Sequence, residues 1–268
     1  MTANNGVMAW KERLIQVLYI MVGLVIAFPI LYALMISFMD PAQVLAGGVN
    51  LIPKKWTLEN YRTALNSAPI MRFMWNSLIL AATSSVVRVI VSALAAFAFA
   101  FLDFPCKNLI FMAMLATIMI PADVVLVANY RTVSGMGLIN TYPAIILPQI
   151  AFSLSYSIQL FYSFSKFFPE EMLEAAIIDG CSPIGCFFKM VVPMSLNSII
   201  TVATMQAVFC WNEYINAYTF TRSTDMKTIT LGLNDFVGSM GLTDWGGTFA
   251  AITVTVLPVF IFYFFSSK

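Results

Sequence analysis

The sequence predicts an all-α polytopic membrane protein, a bundle of six helices with one polar helical element on the cytoplasmic side. Of its 268 residues, 60% are hydrophobic and only 10% are charged. Soluble domains carry about a quarter charged residues. A spanning helix needs about 20 largely apolar residues, which leaves room for roughly half a dozen spans. We therefore expect a single transmembrane domain over residues 1–268.

Each predicted span is a long apolar stretch bounded by polar or helix-breaking residues. The six spans are Leu14–Met39, Met74–Phe101, Leu109–Ala128, Tyr142–Ser165, Leu196–Ala217 and Gly246–Phe265. Pro121 and Pro148 are among the prolines inside them, and membrane helices tolerate such prolines with a kink. The first apolar run is too long for a cleavable signal, so we expect it to be retained.

The ends of the first span predict its orientation. Lys11 and Arg13 flank one end and only Asp40 the other. Positive residues favour the cytoplasmic side, so we expect the N-terminus inside a bacterial plasma membrane, with lipid around the bundle. Charges further along do not decide the orientation.

Several kinds of chemistry are disfavoured by composition. Net charge is +1, histidine is absent, and the four cysteines have no Cys-x-x-Cys spacing. Nucleic-acid binding, a metal site and an enzyme are therefore not expected. No Gly-x-x-x-x-Gly-Lys loop occurs, so we expect no cofactor on this chain and ATP handled by another subunit.

Residues 166–193 form a polar segment between the fourth and fifth spans, and local signals predict two short helices joined by a turn. The first helix is predicted to begin with Pro169 at its first position and Glu170 and Glu171 in its first turn, and to end at Gly180 in a left-handed conformation. The second is predicted to have Ser182 as its N-cap and Pro183 as its first residue, and to end at Pro193. Phe187 and Phe188 are expected to anchor in a partner's pocket.

The residues of this segment resemble the EAA loop of ABC importer permeases. The matching residues are Glu174, Ala175, Ala176, Asp179 and Gly180, followed by Phe187 and Pro193. In that family the loop is the coupling helix that docks in a groove of the cytoplasmic ATPase. The resemblance implies the type I importer permease fold and that role for these residues.

Three shorter motifs resemble the maltose-type carbohydrate-uptake branch: residues 137–142, residues 211–214, and Asp244-Trp245-Gly246 with Pro258. The resemblance implies a second homologous permease, two ATPases that hold ATP and Mg²⁺, and an extracellular or periplasmic solute-binding protein. The implied cargo is an oligosaccharide, a disaccharide or a glycerol-phosphate-like solute. Relatives usually continue into a polar tail, which we expect to be lacking after Lys268.

Two ionisable residues lie inside predicted spans, where a charge is costly unless paired. Arg88 and Asp123 are almost equally far from a turn near Pro105, so a hairpin puts them at similar depth. We predict that they form an ion pair. It is either a latch that differs between transport states or a static bond inside the bundle.

A candidate substrate path combines amides and aromatic rings, which suit a sugar's hydroxyls and apolar faces. Its residues are Gln206, Trp211, Asn212, Glu213 and Tyr214 in the fifth span and Gln149 and Tyr156 in the fourth. Such side chains can equally fasten helices together, and for Trp211 we expect packing or interfacial anchoring rather than stacking on a sugar.

Two other functions compete with this interpretation. An ion-gradient-driven sugar carrier needs ionisable relays at mid-membrane, and here only Arg88 and Asp123 qualify. An intramembrane enzyme would lack the usual catalytic groups. Neither alternative explains residues 166–193.

Overall fold

The computed structural model describes residues 3–48, 50–240 and 244–266. Within these ranges the chain is helical, with one antiparallel bridge between Met39 and Trp56 and no further extended pairing. The last two residues, on which the expected lack of a polar tail depends, lie outside the described residues.

Fourteen α-helices follow one another along the described chain. They are α1 (Ala3–Ser37), α2 (Pro41–Leu45), α3 (Glu59–Ser67), α4 (Ile70–Phe101), α5 (Lys107–Thr117), α6 (Ala122–Gly135), α7 (Tyr142–Ser165), α8 (Glu170–Ile178), α9 (Pro183–Cys186), α10 (Val192–Met194), α11 (Leu196–Trp211), α12 (Ile215–Phe220), α13 (Ile229–Met240) and α14 (Trp245–Ser266). A π-helical turn covers Phe187–Val191 and a 3-10 turn covers Thr224–Met226.

In the part of the chain that the structure describes, four helices are long and apolar enough to cross a membrane: Glu12–Ser37 within α1, α4, α7, and Trp245–Phe264 within α14. Two bent pairs raise the number of spans to six if each pair counts as one. One pair is α5 with α6, at 98°, and the other is Pro183–Met194 with α11, at 80°. The predicted all-α polytopic membrane fold is confirmed.

The third span differs from the continuous helix predicted over Leu109–Ala128. Helix α5 ends at Thr117 and α6 begins at Ala122, directly after Pro121. Proline has no N–H to donate and disfavours helical geometry in the residue before it, which explains the break.

The fifth span is also shorter than the predicted Leu196–Ala217, because α11 ends at Trp211. Two side chains bond the backbone there in place of a regular helical turn. Asn212 donates through Nδ2 to the carbonyl of Val208 at 2.9 Å, and the Glu213 Oε1 accepts from the N–H of Asn216 at 2.9 Å. Such local bonds compete with helix continuation, and the chain restarts as α12.

The chain divides into two compact units, Met1–Ile70 with Asp235–Leu257 and Met71–Asn234 with Pro258–Lys268. In the first unit, the buried Asn60 amide caps the end of α1 by donating to the carbonyls of Met39 at 2.7 Å and Ser37 at 3.1 Å. The second unit holds the apolar clusters described below. One transmembrane domain over the whole chain stays a prediction.

Candidate functional site

The first helix of the polar segment ends where the sequence predicts. Helix α8 stops at Ile178, and Gly180 has φ +85°, a left-handed conformation that glycine adopts without a Cβ clash. The N–H of Gly180 bonds the Ile177 carbonyl at 3.0 Å, and the N–H of Cys181 bonds that of Ala176 at 2.9 Å. These two bonds make a Schellman stop. At the other end, Pro169 lies one residue before the helix, not at its first position.

The second helix begins as predicted but does not end at Pro193. Ser182 caps it, with Oγ accepting from the N–H of Gly185 at 3.2 Å, and Pro183 is its first residue. The chain then passes through the π-helical turn into α10, and Pro193 lies in the first turn of α10. A missing N–H costs nothing at such a position, so the helical path continues to Met194.

The polar segment is fixed to α4 by an apolar cluster, which we call the α4 cluster. Its buried members are Phe97, Phe168, Leu173, Cys186, Phe187 and Val191. The Phe187 ring meets the Phe97 ring edge-on, with centroids 5.4 Å apart. Phe187 is only 5% exposed, so the prediction that it anchors in a partner is wrong for this residue. Phe188, at 58% exposed, remains available for such a contact.

The opposite face of the segment is exposed and carries both charge and apolar side chains. The large exposed apolar residues are Phe167, Met172, Ile177, Ile178, Ile184 and Phe188. Glu174, Ala175 and Asp179 are exposed beside them, whereas Ala176 packs against the α4 cluster. Among the described residues, the Glu174 carboxylate takes part in neither ion pair. Several large exposed apolar side chains on one short polar segment are typical of a protein–protein contact surface.

Two of the four free cysteines belong to this segment. Cys181 precedes the Ser182 cap and Cys186 ends α9, so they occupy the positions of a hydrophobic staple that fixes the entry of the chain into the helix. Cys186 is fully buried and packs in the α4 cluster, and Cys181 packs against the same cluster. The pair is therefore structural.

Arg88 on α4 is fully buried and joins three helices. Its guanidinium donates to the Gln206 Oε1 of α11 and, at 3.2 Å, to the Gln149 carbonyl of α7. It also lies 3.7 Å from the Cys210 Sγ. These bonds tie α4, α7 and α11 together.

The predicted ion pair between Arg88 and Asp123 is wrong. The ion pairs found in the described part of the chain are Lys55–Asp40 and Lys107–Asp103. Asp123 is exposed in the first turn of α6. Because the chain bends by 98° between α5 and α6, equal distance from the hairpin turn does not mean equal depth.

Three of the predicted substrate-path residues are buried. Gln206 donates from Nε2 to the Ser157 Oγ at 2.8 Å, and Gln149 accepts from the Ser84 Oγ at 3.2 Å. Trp211 is 2% exposed. The two glutamines thus act as fasteners around Arg88, and Trp211 packs in the core.

Three of the other path residues, Asn212, Glu213 and Tyr214, line open space. A cavity of about 910 Å³ is bordered by Thr201, Thr204, Met205, Val208, Phe209, Asn212, Glu213, Tyr214, Ile215 and Tyr263. A smaller one, of about 120 Å³, is bordered by Ala122, Asp123, Val125, Leu126, Asn129, Pro148, Gln149, Phe152, Phe209, Glu213, Ile215 and Asn216. Glu213 belongs to both linings. Tyr156 is exposed and belongs to neither.

Two asparagines that connect distant segments were missed by the sequence analysis. Asn76 donates to the carbonyls of Asp225 at 2.7 Å and Lys227 at 2.8 Å. Asn140 accepts from the N–H groups of Arg222 at 2.9 Å and Ser223 at 3.0 Å. The only sequence signal was an amide in an apolar span for Asn76 and a position inside the 137–142 motif for Asn140.

Comparison with known proteins agrees with this architecture. The solved structure of a bacterial ABC transporter involved in the import of the acidic polysaccharide alginate matches with a TM-score of 0.83 and 19% identity, over 97% of this chain and 96% of that one. The diacetylchitobiose uptake system permease protein NgcG of Streptomyces coelicolor is 31% identical over 92% of this chain and 82% of the relative. The sn-glycerol-3-phosphate transport system permease protein UgpE of Escherichia coli O1:K1 is 30% identical over 87% and 85%.

The fold and the exposed polar segment define the transmembrane permease class of ABC importers. Residues 3–268 match the binding-protein-dependent transport system inner membrane component family, and the chain belongs to it. The family implies a multi-pass inner-membrane protein that works in a complex with an ATPase and a solute-binding protein. Relatives are transport permeases rather than enzymes, and nothing in these matches favours an ion-gradient-driven carrier.

Proposed function

We propose that this permease imports a carbohydrate or a related polyol, with its N-terminus in the cytoplasm. It pairs with a second homologous permease and two ATPases, and the ATPases hold ATP and Mg²⁺ while this chain binds no cofactor. Support for the cargo comes from the relatives, which include the permeases of diacetylchitobiose and sn-glycerol-3-phosphate uptake systems. Hydroxyl, amide and aromatic side chains around the 910 Å³ cavity suit such a cargo.

One observation supports the coupling role above all others. Residues 166–193 present an exposed acidic and apolar face while their opposite face is packed into the α4 cluster. A segment held this way moves together with α4, because close-packed interiors transmit displacement. We infer that Glu174 and the exposed isoleucines Ile177 and Ile178 contact the ATPase, with Gly180 setting the end of the docking helix.

A continuous series of contacts leads from this segment to the cavities. Phe187 packs on Phe97 of α4, and Arg88, nine residues earlier on α4, bonds α7 and α11. Gln149 of α7 and Phe209 of α11 then border the smaller cavity. Movement of the segment on ATP binding therefore shifts the cavity walls, and a strong shift between access states needs several kcal/mol of differential binding.

Paired substitutions test the coupling role. Gly180→Ala puts a Cβ at a left-handed position, and this strains the Schellman stop by about 1–2 kcal/mol. Gly137→Ala is the matched control, because Gly137 has φ +69° and, like Gly180, nothing within 4 Å of the added carbon. In proteoliposomes holding the assembled importer, we expect Gly180→Ala to reduce uptake per ATP hydrolysed severalfold, and Gly137→Ala to keep the ratio.

The same assay separates two exposed carboxylates of α8. We expect Glu174→Ala to lower the transport-to-hydrolysis ratio and Glu171→Ala to leave it near the wild-type value. Equal ratios for all four variants and the wild type would exclude the coupling role of this segment. The cargo is tested separately, by screening the solute-binding protein against mono-, di- and oligosaccharides and glycerol phosphates.

A further inference from the structure

We propose that the cavities of this permease select uncharged, hydroxyl-rich cargo and discriminate against anionic cargo, through the carboxylates of Asp123 and Glu213. This inference rests on the proposed carbohydrate import and narrows its substrate class. It concerns the membrane step, which is distinct from recognition by the solute-binding protein.

The charge of the cavity walls is the first observation. Among the described residues that border the two cavities, the ionisable carboxylates are Asp123 and Glu213, and no lysine or arginine is present. Within the described chain, the Glu213 carboxylate is hydrogen-bonded through Oε1, which accepts from the N–H of Asn216. Both acidic groups therefore have oxygens available toward the smaller cavity.

The nearest buried cation offsets only part of this negative charge: Arg88 interacts electrostatically with Glu213, and Asp123 is not among its partners. Arg88 is absent from both linings, and its guanidinium is directed to the Gln206 Oε1, the Gln149 carbonyl and the Cys210 Sγ. Phe209, whose ring centroid lies 5.9 Å from the guanidinium carbon, borders both cavities. Arg88 is thus part of the supporting layer, while the carboxylates belong to the lining itself.

An unsatisfied donor in the same lining indicates what the cavity binds. Gln149 is 3% exposed and borders the smaller cavity, and its Nε2 has no hydrogen-bond partner among the residues that the structure describes. A buried donor without a partner is costly, so an acceptor from the cargo stabilises it. A sugar hydroxyl fits this site because it accepts from the Gln149 amide and donates to a carboxylate.

The same lining is unfavourable for an anionic cargo. A phosphate or carboxylate can accept from Gln149 but cannot donate to Asp123 or Glu213, and it is repelled by both. The anion would lie several ångströms from two like charges in a partly buried cavity. This repulsion lowers the rate at which the anion is transported by about tenfold or more. The relative for sn-glycerol-3-phosphate, whose cargo is an anion, indicates that membership of the family does not by itself set the charge of the cargo.

The test compares a neutral disaccharide with its uronic-acid analogue in the complete importer reconstituted in proteoliposomes. Each sugar is supplied at a concentration that gives equal, calorimetrically measured occupancy of the solute-binding protein, so that the transport ratio reports the membrane step. We expect the neutral sugar to be transported about tenfold faster. In the Asp123→Asn/Glu213→Gln double variant, the ratio should fall to about twofold, since the glutamine still accepts from Asn216.

A reverse variant makes the result specific to charge. Asn129→Asp adds a carboxylate to the smaller cavity and should raise the neutral-to-anionic ratio above that of the wild type. A defect in folding or assembly lowers both rates and leaves the ratio unchanged. Equal transport of the two sugars by the wild type, or a ratio that neither variant changes, would overturn the inference. Absence of transport for both sugars would instead count against carbohydrate import itself.

Discussion

The buried Arg88 provides the sharpest test of how the membrane interior is stabilised. Its principal side-chain partner is the neutral Gln206 Oε1, and neither ion pair of the described residues includes it. Replacing Gln206 by leucine therefore removes the partner of a buried charge. Replacing Arg88 by methionine removes the charge and leaves a neutral amide behind. The two substitutions should therefore lower the free energy of unfolding by different amounts.

The magnitudes follow from the contacts. Gln206→Leu leaves the guanidinium short of an acceptor and should cost about 3 kcal/mol, the upper range for hydrogen bonds to charged groups. Arg88→Met leaves the Gln206 Oε1 without its donor, which should lower the free energy of unfolding by about 1–2 kcal/mol. Part of this cost is offset because the buried arginine no longer has to be desolvated. The Gln149 carbonyl keeps a bond from the Ser153 Oγ at 2.6 Å. The double variant should cost less than the sum, with a coupling energy of about 2 kcal/mol.

The assay is equilibrium unfolding of the purified chain in mixed micelles, followed by far-ultraviolet circular dichroism. Asp123→Asn is the control, because an exposed side chain without an ion pair should change the free energy of unfolding by less than about 0.5 kcal/mol. Additive single-variant effects, or an Asp123→Asn cost as large as that of Gln206→Leu, would refute the reasoning and restore the ion pair predicted from the sequence.

Two further predictions concern packing and accessibility. Gly246→Ala should lower the free energy of unfolding by about 1–3 kcal/mol, because the added Cβ would clash with the Oδ1 of the buried Asn60. Gly23→Ala, with nothing within 4 Å of the added carbon, should be neutral or slightly stabilising. Thermal unfolding of both variants measures this, and equal shifts would contradict it. A membrane-permeant maleimide should label the exposed Cys106 quickly and the buried Cys210 only after denaturation. Mass spectrometry of the labelled peptides measures the two rates. Fast labelling of Cys210 in the folded protein would contradict the structure.

The sequence alone determined the class of this protein and the local geometry of its polar segment. Composition predicted a helical membrane fold, because hydrocarbon requires long apolar stretches. Glycine, serine and proline placed the Schellman stop at Gly180 and the cap at Ser182, since these signals act within one helical turn. The family resemblance of residues 166–193 has the same local origin.

Contacts between helices were decided only by the tertiary structure. The pairing of Arg88 with Gln206 rather than Asp123 depends on the 98° bend between α5 and α6, and the sequence marks a proline there without giving the angle. Likewise, Phe187 and Phe188 are chemically alike neighbours, and only the packing on α4 buries one and exposes the other. Periodicity fixes the face of one helix, but burial requires the position of the helix it meets.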